Sequence, residues 1–273
     1  MTGFIFPTKP KIIKETETEG IFEIENLYTG YGLTIGNAIR RTILSSLKGA
    51  AITTAKIKDV SHEFSVIEGV KEDVIQIILN LKKIRIKTFS EGPHNLILRK
   101  KGEGEVTAKD IEKNSNVEIV TPDVHIATLT DKKAELEMVL TVEEGIGYMP
   151  AELRQKEKLP IGTISLDAIF TPIKKVNYEV ENMRVGERTD YNRLRIYIET
   201  DGTILPRMAF KQAIEILQEH FKIIGNINFE ENKLENQKEL NKKESSEEVE
   251  TKKNEEKKST KVEKKTTKNK KSK

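Results

Sequence analysis

The sequence has no cysteine and no tryptophan among its 273 residues, and only 5% of its residues are aromatic. Without cysteine the chain can form no disulfide bond, thiolate nucleophile, Cys-ligated zinc site or iron–sulfur cluster. This composition is typical of a protein from a reducing compartment. The four histidines are also widely separated, at positions 62, 94, 125 and 220. None of them pairs with another at i, i+3 or i, i+4, so we expect no metal centre in this chain.

Long hydrophobic runs are missing as well. Every apolar stretch is interrupted by Lys, Glu or Gln well before the roughly 20 residues that a membrane span requires. Residues 1–10 show neither a basic segment followed by an apolar one nor a small-residue cleavage site, so the sequence does not predict secretion. We therefore expect a soluble protein that works in the cytoplasm, with no membrane contact.

The charged residues are concentrated at the end of the chain. Residues 231–273 contain 15 Lys and 10 Glu but only four aliphatic residues and no aromatic one. Such a segment cannot bury enough apolar surface to offset the entropy of folding, so we expect a disordered tail. The tail carries a net charge of +5, whereas residues 1–230, with 32 basic and 34 acidic residues, carry −2.

The preceding body reads as an α+β protein. More than ten short runs of alternating or β-branched residues recur between turn-forming pieces, which predicts antiparallel sheets. Three segments show helical periodicity instead, over residues 36–47, 70–82 and 206–224. The apolar arc of the third is wider than one sheet face requires, so we expect it to pack on its own sheet and on a second surface such as a partner chain. A central core helix is the alternative.

One glycine pattern resembles a nucleotide-binding motif. Gly30, Gly32 and Gly36 stand between a predicted strand and a predicted helix, with Asp59 at the end of the next strand. The spacing is G-x-G-x-x-x-G, however, and the strands alternate instead of forming the continuous apolar runs of a parallel sheet. The alternative interpretation is that these glycines allow a tight turn before a closely packed helix.

No catalytic constellation is recognisable in the body. The carboxylates are scattered, and no serine lies in a G-x-S-x-G elbow. Arg40 and Arg41 differ from the other charged residues because neighbouring side chains on a helix point about 100° apart. At least one of the two must therefore flank the apolar stripe. It either reaches into water or anchors a protein interface.

Taken in order, these segments closely resemble the bacterial RNA polymerase α subunit family. The first block comprises Gly30, Tyr31, Gly32, Thr34, Gly36, Asn37, Ala38, Arg40, Arg41, Leu44, Ser45 and Ser46. Later blocks include His62-Glu63-Phe64-Ser65, Glu68-Gly69-Val70, Glu72-Asp73-Val74, Leu79-Asn80-Leu81-Lys82, Gly147-Tyr148, Pro150-Ala151, Pro160-Ile161-Gly162, Arg188-Thr189-Asp190 and Glu199-Thr200-Asp201-Gly202-Thr203. The resemblance covers about residues 4–230, and the order of the blocks makes it specific.

The resemblance implies a domain organisation. Residues 1–49 and 176–230 would form a discontinuous dimerisation domain, an antiparallel sheet with two helices. Residues 50–175 would form an inserted, mainly β domain, followed by the tail at 231–273. In the family a homodimer serves as the platform on which the β and β′ subunits assemble. The nucleotidyl-transfer site and its magnesium lie in those large subunits, and ω and sigma belong to the wider complex. The resemblance therefore implies no catalytic residue, cofactor or metal ion in this chain.

Two sets of site residues follow from the resemblance. The expected large-subunit contacts are Arg41, as the main contact, with Gly36, Asn37, His62, Glu63, Lys82 and Arg188 around it. The expected dimer interface comprises Ile35, Ile39, Ile43, Phe210, Ile214, Leu217 and Phe221.

The carboxy-terminal region departs from the family pattern. Family members continue into a compact helical domain that contacts upstream promoter DNA, which residues 231–273 cannot form. Residues 251–273 carry a net charge of +8, so any contact with DNA would be weak and made through phosphates. The alternatives to a polymerase subunit are a free-standing, basic-tailed nucleic-acid-binding protein and a dinucleotide-dependent oxidoreductase.

Overall fold

The computed structural model describes residues 6–154, 160 and 162–226. The predicted disordered tail at 231–273 lies outside these residues. The strands are β1 Lys11–Glu15, β2 Glu19–Leu27, β3 Lys48–Ile57, β4 Ile86–Thr88, β5 His94–Lys101, β6 Gly104–Thr107, β7 Val117–Ile119, β8 His125–Leu129, β9 Glu135–Ile146, β10 Tyr148–Met149, β11 Thr163–Ser165, β12 Ala168–Ile169, β13 Ile173–Val185 and β14 Arg188–Thr200. The helices are α1 Tyr31–Ser46, α2 Val74–Leu81, α3 Ala151–Arg154 and α4 Pro206–Gly225, with a short 3-10 helix at Ala108–Asp110. The expectation of an antiparallel, sheet-rich fold with few helices is confirmed.

The first hydrophobic core lies between a four-stranded sheet and two helices. The strand order is β1-β2-β14-β13, and all three pairings are antiparallel. Alternate residues of β2 and β14 point to one face, where Leu194 and Ile196 are fully buried under α1. The Phe22 ring of β2 stacks on Phe210 of α4 with centroids 4.8 Å apart. We call residues 6–47 and 173–220 the helical lobe.

A second core belongs to the middle of the chain. A six-stranded sheet has the order β5-β9-β3-β4-β7, with β11 paired to β3, and β6 pairs with β8 separately. Strand β9 shows the alternation that a half-buried strand requires, since Leu136, Met138, Leu140 and Val142 all face inward. Helix α2 contributes its buried apolar stripe to the same core. We call residues 50–169 the β lobe.

Phe170 and Gly49 lie in the two chain segments that connect the lobes, and Gly145 of β9 lies against Phe170. The Phe170 side chain is buried in a small cluster with Ala51 and Ala168, apart from both larger cores. A Cβ atom on Gly49 would lie 1.9 Å from the Phe170 carbonyl oxygen, and one on Gly145 would lie 2.6 Å from its ring. Both positions therefore require glycine, because any side chain would push Phe170 out of the junction.

Two helices begin elsewhere than their periodicity indicates. Helix α1 starts at Tyr31, five residues before the predicted start at 36, so it includes Gly32 and Gly36. Helix α2 starts only at Val74, because the Asp73 side chain accepts a hydrogen bond from the Gln76 backbone N–H at 2.7 Å and caps the helix there. Helix α4 matches its prediction to within one residue. No helix in the described ranges is long and apolar enough to cross a membrane.

Candidate functional site

The glycines of the G-x-G-x-x-x-G segment serve helix packing. A Cβ atom on Gly32 would lie 2.7 Å from Val180 Cγ1, and one on Gly36 would lie 2.8 Å from both Leu194 and Tyr178. Helix α1 can thus rest directly on β13 and β14. No parallel strand pair occurs within the described residues, so the β-α-β unit of a dinucleotide site is missing there. Gly36, which the resemblance implies as a large-subunit contact, is buried and faces the sheet.

A distant asparagine caps the start of α1. The capping position is Gly30, which has φ +84° and no side chain with which to accept a hydrogen bond. The Oδ1 atom of Asn192 on β14 accepts from the backbone N–H groups of Gly30 and Gly32 at 2.9 and 3.3 Å. The buried Asn192 thus supplies, from 160 residues away, the acceptor that a local N-cap side chain normally provides. No local sequence signal identifies it.

Arg188 belongs to an aromatic cluster beside this cap. Its guanidinium lies 5.1 and 5.4 Å from the ring centroids of Tyr28 and Tyr191, which is cation–π geometry. It also donates two hydrogen bonds to the Asp190 carboxylate, at 3.0 and 2.7 Å. These bonds from Arg188, together with one from Thr29, hold the pKa of Asp190 well below its usual range. Half of the Arg188 side chain remains exposed, so it is accessible from the surface.

The two adjacent arginines of α1 have different surroundings. Arg40 is half-buried, and its Nε donates to the Val176 carbonyl oxygen at 3.2 Å. Arg41 is exposed and makes no salt bridge within the described part of the chain. The structure thus identifies Arg41 as the outward-facing member of the pair. A shallow groove between α1 and α4 brings it together with the exposed Asn37; its lining comprises Leu33, Thr34, Asn37, Ala38, Arg41, Thr42 and Leu217.

The predicted dimer residues divide into three groups. Ile39, Ile43 and Phe210 are buried inside this chain and belong to its core. Ile35, Ile214 and Leu217 are half-buried and pack against the same core. Phe221 is 66% exposed. Helices α1 and α4 expose further apolar side chains that periodicity did not separate from the core: Leu33, Leu44 and Met208.

In the β lobe, His62 and Glu63 lie on the exposed loop between β3 and α2. The His62 Nδ1 atom is 3.1 Å from the Ser65 hydroxyl, which tightens this loop. Phe64 and Val66 next to them are 74% and 78% exposed. Two apolar side chains so fully in water are typical of an interaction surface. Their exposure is a feature that sequence reasoning missed, although Phe64 stands within a motif block.

Lys82 is already engaged within the chain. Its ammonium donates a hydrogen bond to Asp167 Oδ2 at 2.8 Å, and the Ala151 N–H donates to the other oxygen of that carboxylate at 2.9 Å. These bonds, with Lys82 as the main cause, lower the pKa of Asp167. Lys82 therefore links the end of α2 to the segment between β11 and β12.

The structure does not gather the predicted contact residues into one pocket. Asn37 and Arg41 share the groove on α1, and Arg188 lies near the amino-terminal end of that helix, with Tyr28 and Tyr191. His62 and Glu63 share a loop of the β lobe, and Lys82 follows α2. Such a distribution over two lobes is typical of an extended protein interface and not of a catalytic cleft. Among the described residues, no group of three or more His, Asp or Glu could hold a metal ion.

Comparison with known proteins defines the class to which this arrangement belongs. Residues 55–171 match the family described as the RNA polymerase Rpb3/RpoA insert domain. The chain is 50% identical over 220 residues to the "DNA-directed RNA polymerase subunit alpha" of Roseiflexus castenholzii, which covers 81% of this chain and 68% of that relative. It is 48% identical over 242 residues to the protein of the same name from Alkaliphilus oremlandii, covering 86% and 76%, respectively.

A third relative from Oceanobacillus iheyensis, with the same name, is 49% identical over 219 residues. The chain therefore belongs to the family of bacterial DNA-directed RNA polymerase α subunits. The resemblance noted in the sequence is confirmed. As a member of this family it is a subunit of a nucleotidyltransferase whose catalytic centre lies in other subunits.

Proposed function

We propose that two copies of this chain form the homodimer on which the β and β′ subunits of RNA polymerase assemble. The observation that carries this proposal is the set of exposed apolar side chains on α1 and α4. Leu33 and Leu44, on one side of α1, are 61% and 37% exposed, and Met208 of α4 is 41% exposed. Two neighbouring helices of a water-soluble domain seldom present several such side chains without a partner. The same helices of a second copy would cover them through an isologous contact.

The two hydrophobic cores support the proposed domain division. The core of the helical lobe draws its buried residues from both ends of the body, at 22–47 and 173–213, which agrees with a dimerisation domain at 1–49 and 176–230 to within three residues. The core of the β lobe draws only on residues from Ile52 to Leu166, as an inserted domain at 50–175 requires. Each lobe thus has its own core, which is the physical criterion for a domain.

The large-subunit surface would extend over both lobes. Arg41 supplies an exposed guanidinium that is not neutralised within the described chain, and Asn37 lies in the same groove. In the β lobe, the loop with His62 and Glu63 adds the exposed Phe64 and Val66. Arginine and aromatic side chains are the residue types that dominate protein–protein binding energy. Lys82 and Arg188 would contribute from their present positions, each with its intramolecular carboxylate partner.

An experiment on the dimer follows from the difference between exposed and core residues. Leu33→Asp places a charge on the outer face of α1 without disturbing the core, so it should abolish dimerisation and leave the fold intact. Ile13→Asp is the matched control, because Ile13 is 55% exposed on β1 of the same lobe. Sedimentation velocity at micromolar concentration should show a dimer for the wild type and for the control. A wild type that sediments as a monomer would refute the proposal.

We further propose that any contact between the Lys-rich residues 251–273 and DNA is made through phosphates alone. The segment contains no arginine to read guanine and no aromatic residue to stack on a base. Binding should show no sequence preference and should weaken with salt, with a log–log slope of about −0.9 per phosphate contact. Deleting residues 231–273 should leave basal transcription intact. A sequence-specific upstream footprint that disappears with the tail would contradict this idea.

A further inference from the structure

An ion pair connects the two lobes. Asp201 follows the end of β14 in the helical lobe, and only 3% of its side chain is exposed. Arg85 lies in the β lobe between α2 and β4, and its Nε atom is 3.7 Å from Asp201 Oδ2. The other carboxylate oxygen accepts hydrogen bonds from the backbone N–H and the hydroxyl of Thr203. Among the described residues, Arg85 is the cation within ion-pair distance of Asp201.

Both partners are held by their own lobes. The Arg85 backbone N–H donates to the Thr121 hydroxyl at 2.8 Å, and its carbonyl accepts from the Val120 N–H at 2.9 Å. On the other side, the N–H of Thr200, which precedes Asp201, donates to the Thr18 carbonyl oxygen of the helical lobe at 2.8 Å. Because neither backbone is free to follow the other, the distance between the two charges depends on how the lobes are oriented.

The surroundings give this pair an energetic role. A carboxylate with so little water contact is costly unless a positive charge compensates it. An orientation that withdraws Arg85 would leave Asp201 with only the bonds from Thr203. The lobes also touch beside the pair, since a Cβ atom on Gly202 would lie 3.2 Å from Val120 Cγ1. The pair and this contact form a second joint in addition to Phe170.

We propose that Arg85 and Asp201 are positioning residues, which fix the orientation of the β lobe on the helical lobe for assembly with a large polymerase subunit. The inference rests on the proposed function, in which Arg41 on one lobe and the His62 loop on the other contact the same partner. A surface divided between two lobes binds more tightly when its parts are held in the bound arrangement beforehand, because less entropy is lost on binding.

The absence of cysteine allows a direct measurement of the lobe orientation. Spin labels on Lys132→Cys in the β lobe and Lys211→Cys on α4 report one distance between lobes, since both native side chains are exposed. Labelled chains are diluted with an excess of unlabelled chains, so that most of the dimers that contain label carry only one labelled copy. Arg85→Gln should broaden the distance distribution, whereas Arg85→Lys, which keeps the charge, should leave it close to that of the wild type.

A binding measurement tests the functional part. Arg85→Gln should weaken capture of the β subunit by about three- to ten-fold, with dimerisation unchanged. Adding Asp201→Asn should recover part of this loss, because no unpaired buried charge then remains and the Asn oxygen can still accept from Thr203. Arg99→Gln is the matched control, since it removes an exposed ion pair within the β lobe. It should leave both the distance and the capture unchanged.

The possible outcomes separate this inference from the proposed function. An unchanged distance distribution in Arg85→Gln would overturn it, and so would a broadened distribution with undiminished β capture. Failure of the wild type to capture β would instead contradict the proposed function, while the distance measurement would still decide whether the pair orients the lobes.

Discussion

Gly36→Ala sets two opposing effects against each other within α1. Alanine is favoured over glycine in a helix by about 1 kcal/mol, so at an exposed site the substitution would stabilise the protein. At position 36, however, the new Cβ atom would lie 2.8 Å from Leu194 Cδ1 and 2.8 Å from the Tyr178 ring. Leu194 is fully buried on β14, so it has no space into which to move.

Overpacking of this kind costs typically about 1 to 3 kcal/mol, which exceeds the gain in helix propensity. We therefore expect Gly36→Ala to lower the free energy of unfolding by about 1 kcal/mol. For a protein of this size, such a loss lowers the melting temperature by about 2 to 4 °C. The measurement is urea unfolding followed by circular dichroism, at one fixed protein concentration because dimerisation couples stability to concentration.

The control is the same substitution at Gly225, the last residue of α4, where a Cβ atom would meet nothing within 4 Å. It should be neutral or slightly stabilising. The double variant Gly36→Ala/Leu194→Ala should be less destabilised than the sum of its single variants, because removing the leucine methyl groups relieves the contact. A Gly36→Ala protein at least as stable as the wild type would refute the packing argument, and the glycine would then need another explanation.

Two further predictions concern charged residues. Arg41→Ala should weaken capture of the β subunit by about 2 to 5 kcal/mol with the dimer intact, because it leaves a desolvated partner group unpaired. Arg40→Ala is the control and should instead lower the stability of the fold, because the Arg40 side chain donates a hydrogen bond to the Val176 carbonyl oxygen. Equal capture of β by the wild type and by Arg41→Ala in a pull-down would contradict the assignment. The lowered pKa of Asp167 predicts that the stability from its bond to Lys82 is present above its usual pKa of 3.8 and is lost as the pH falls through the lower folded-state value. For so exposed a pair, the wild type should be more stable than Asp167→Asn by at most about 1 kcal/mol. In urea titrations this difference should shrink as the pH is lowered from about 6 to about 2.5. A constant difference would mean that the bond is not formed in solution.

Much of the molecule follows from the sequence alone, because the signals are local or are carried by ordered motif blocks. Alternation in β9 and the 3.6-residue period of α4 reflect which side of one element is buried, and neighbouring residues are sufficient to show it. The family assignment likewise depended on the order of the blocks from Gly30 to Thr203, and the relatives confirm it. The alternating strands around Gly30, Gly32 and Gly36 indicated that these glycines serve helix packing and do not bind a nucleotide.

Other properties depend on contacts between residues that are distant in the chain. Periodicity placed Ile39 and Phe210 on the same apolar faces as Ile35 and Leu217, but only the sheet beneath the helices determines which of these side chains are fully enclosed. The capping of α1 by Asn192 and the pairing of Arg85 with Asp201 join residues more than 100 positions apart. A local pattern defines the faces of an element, whereas the register of β14 and the packing of the lobes determine what each face meets. These contacts form only when the whole chain has folded, and for that reason the tertiary structure alone decided them.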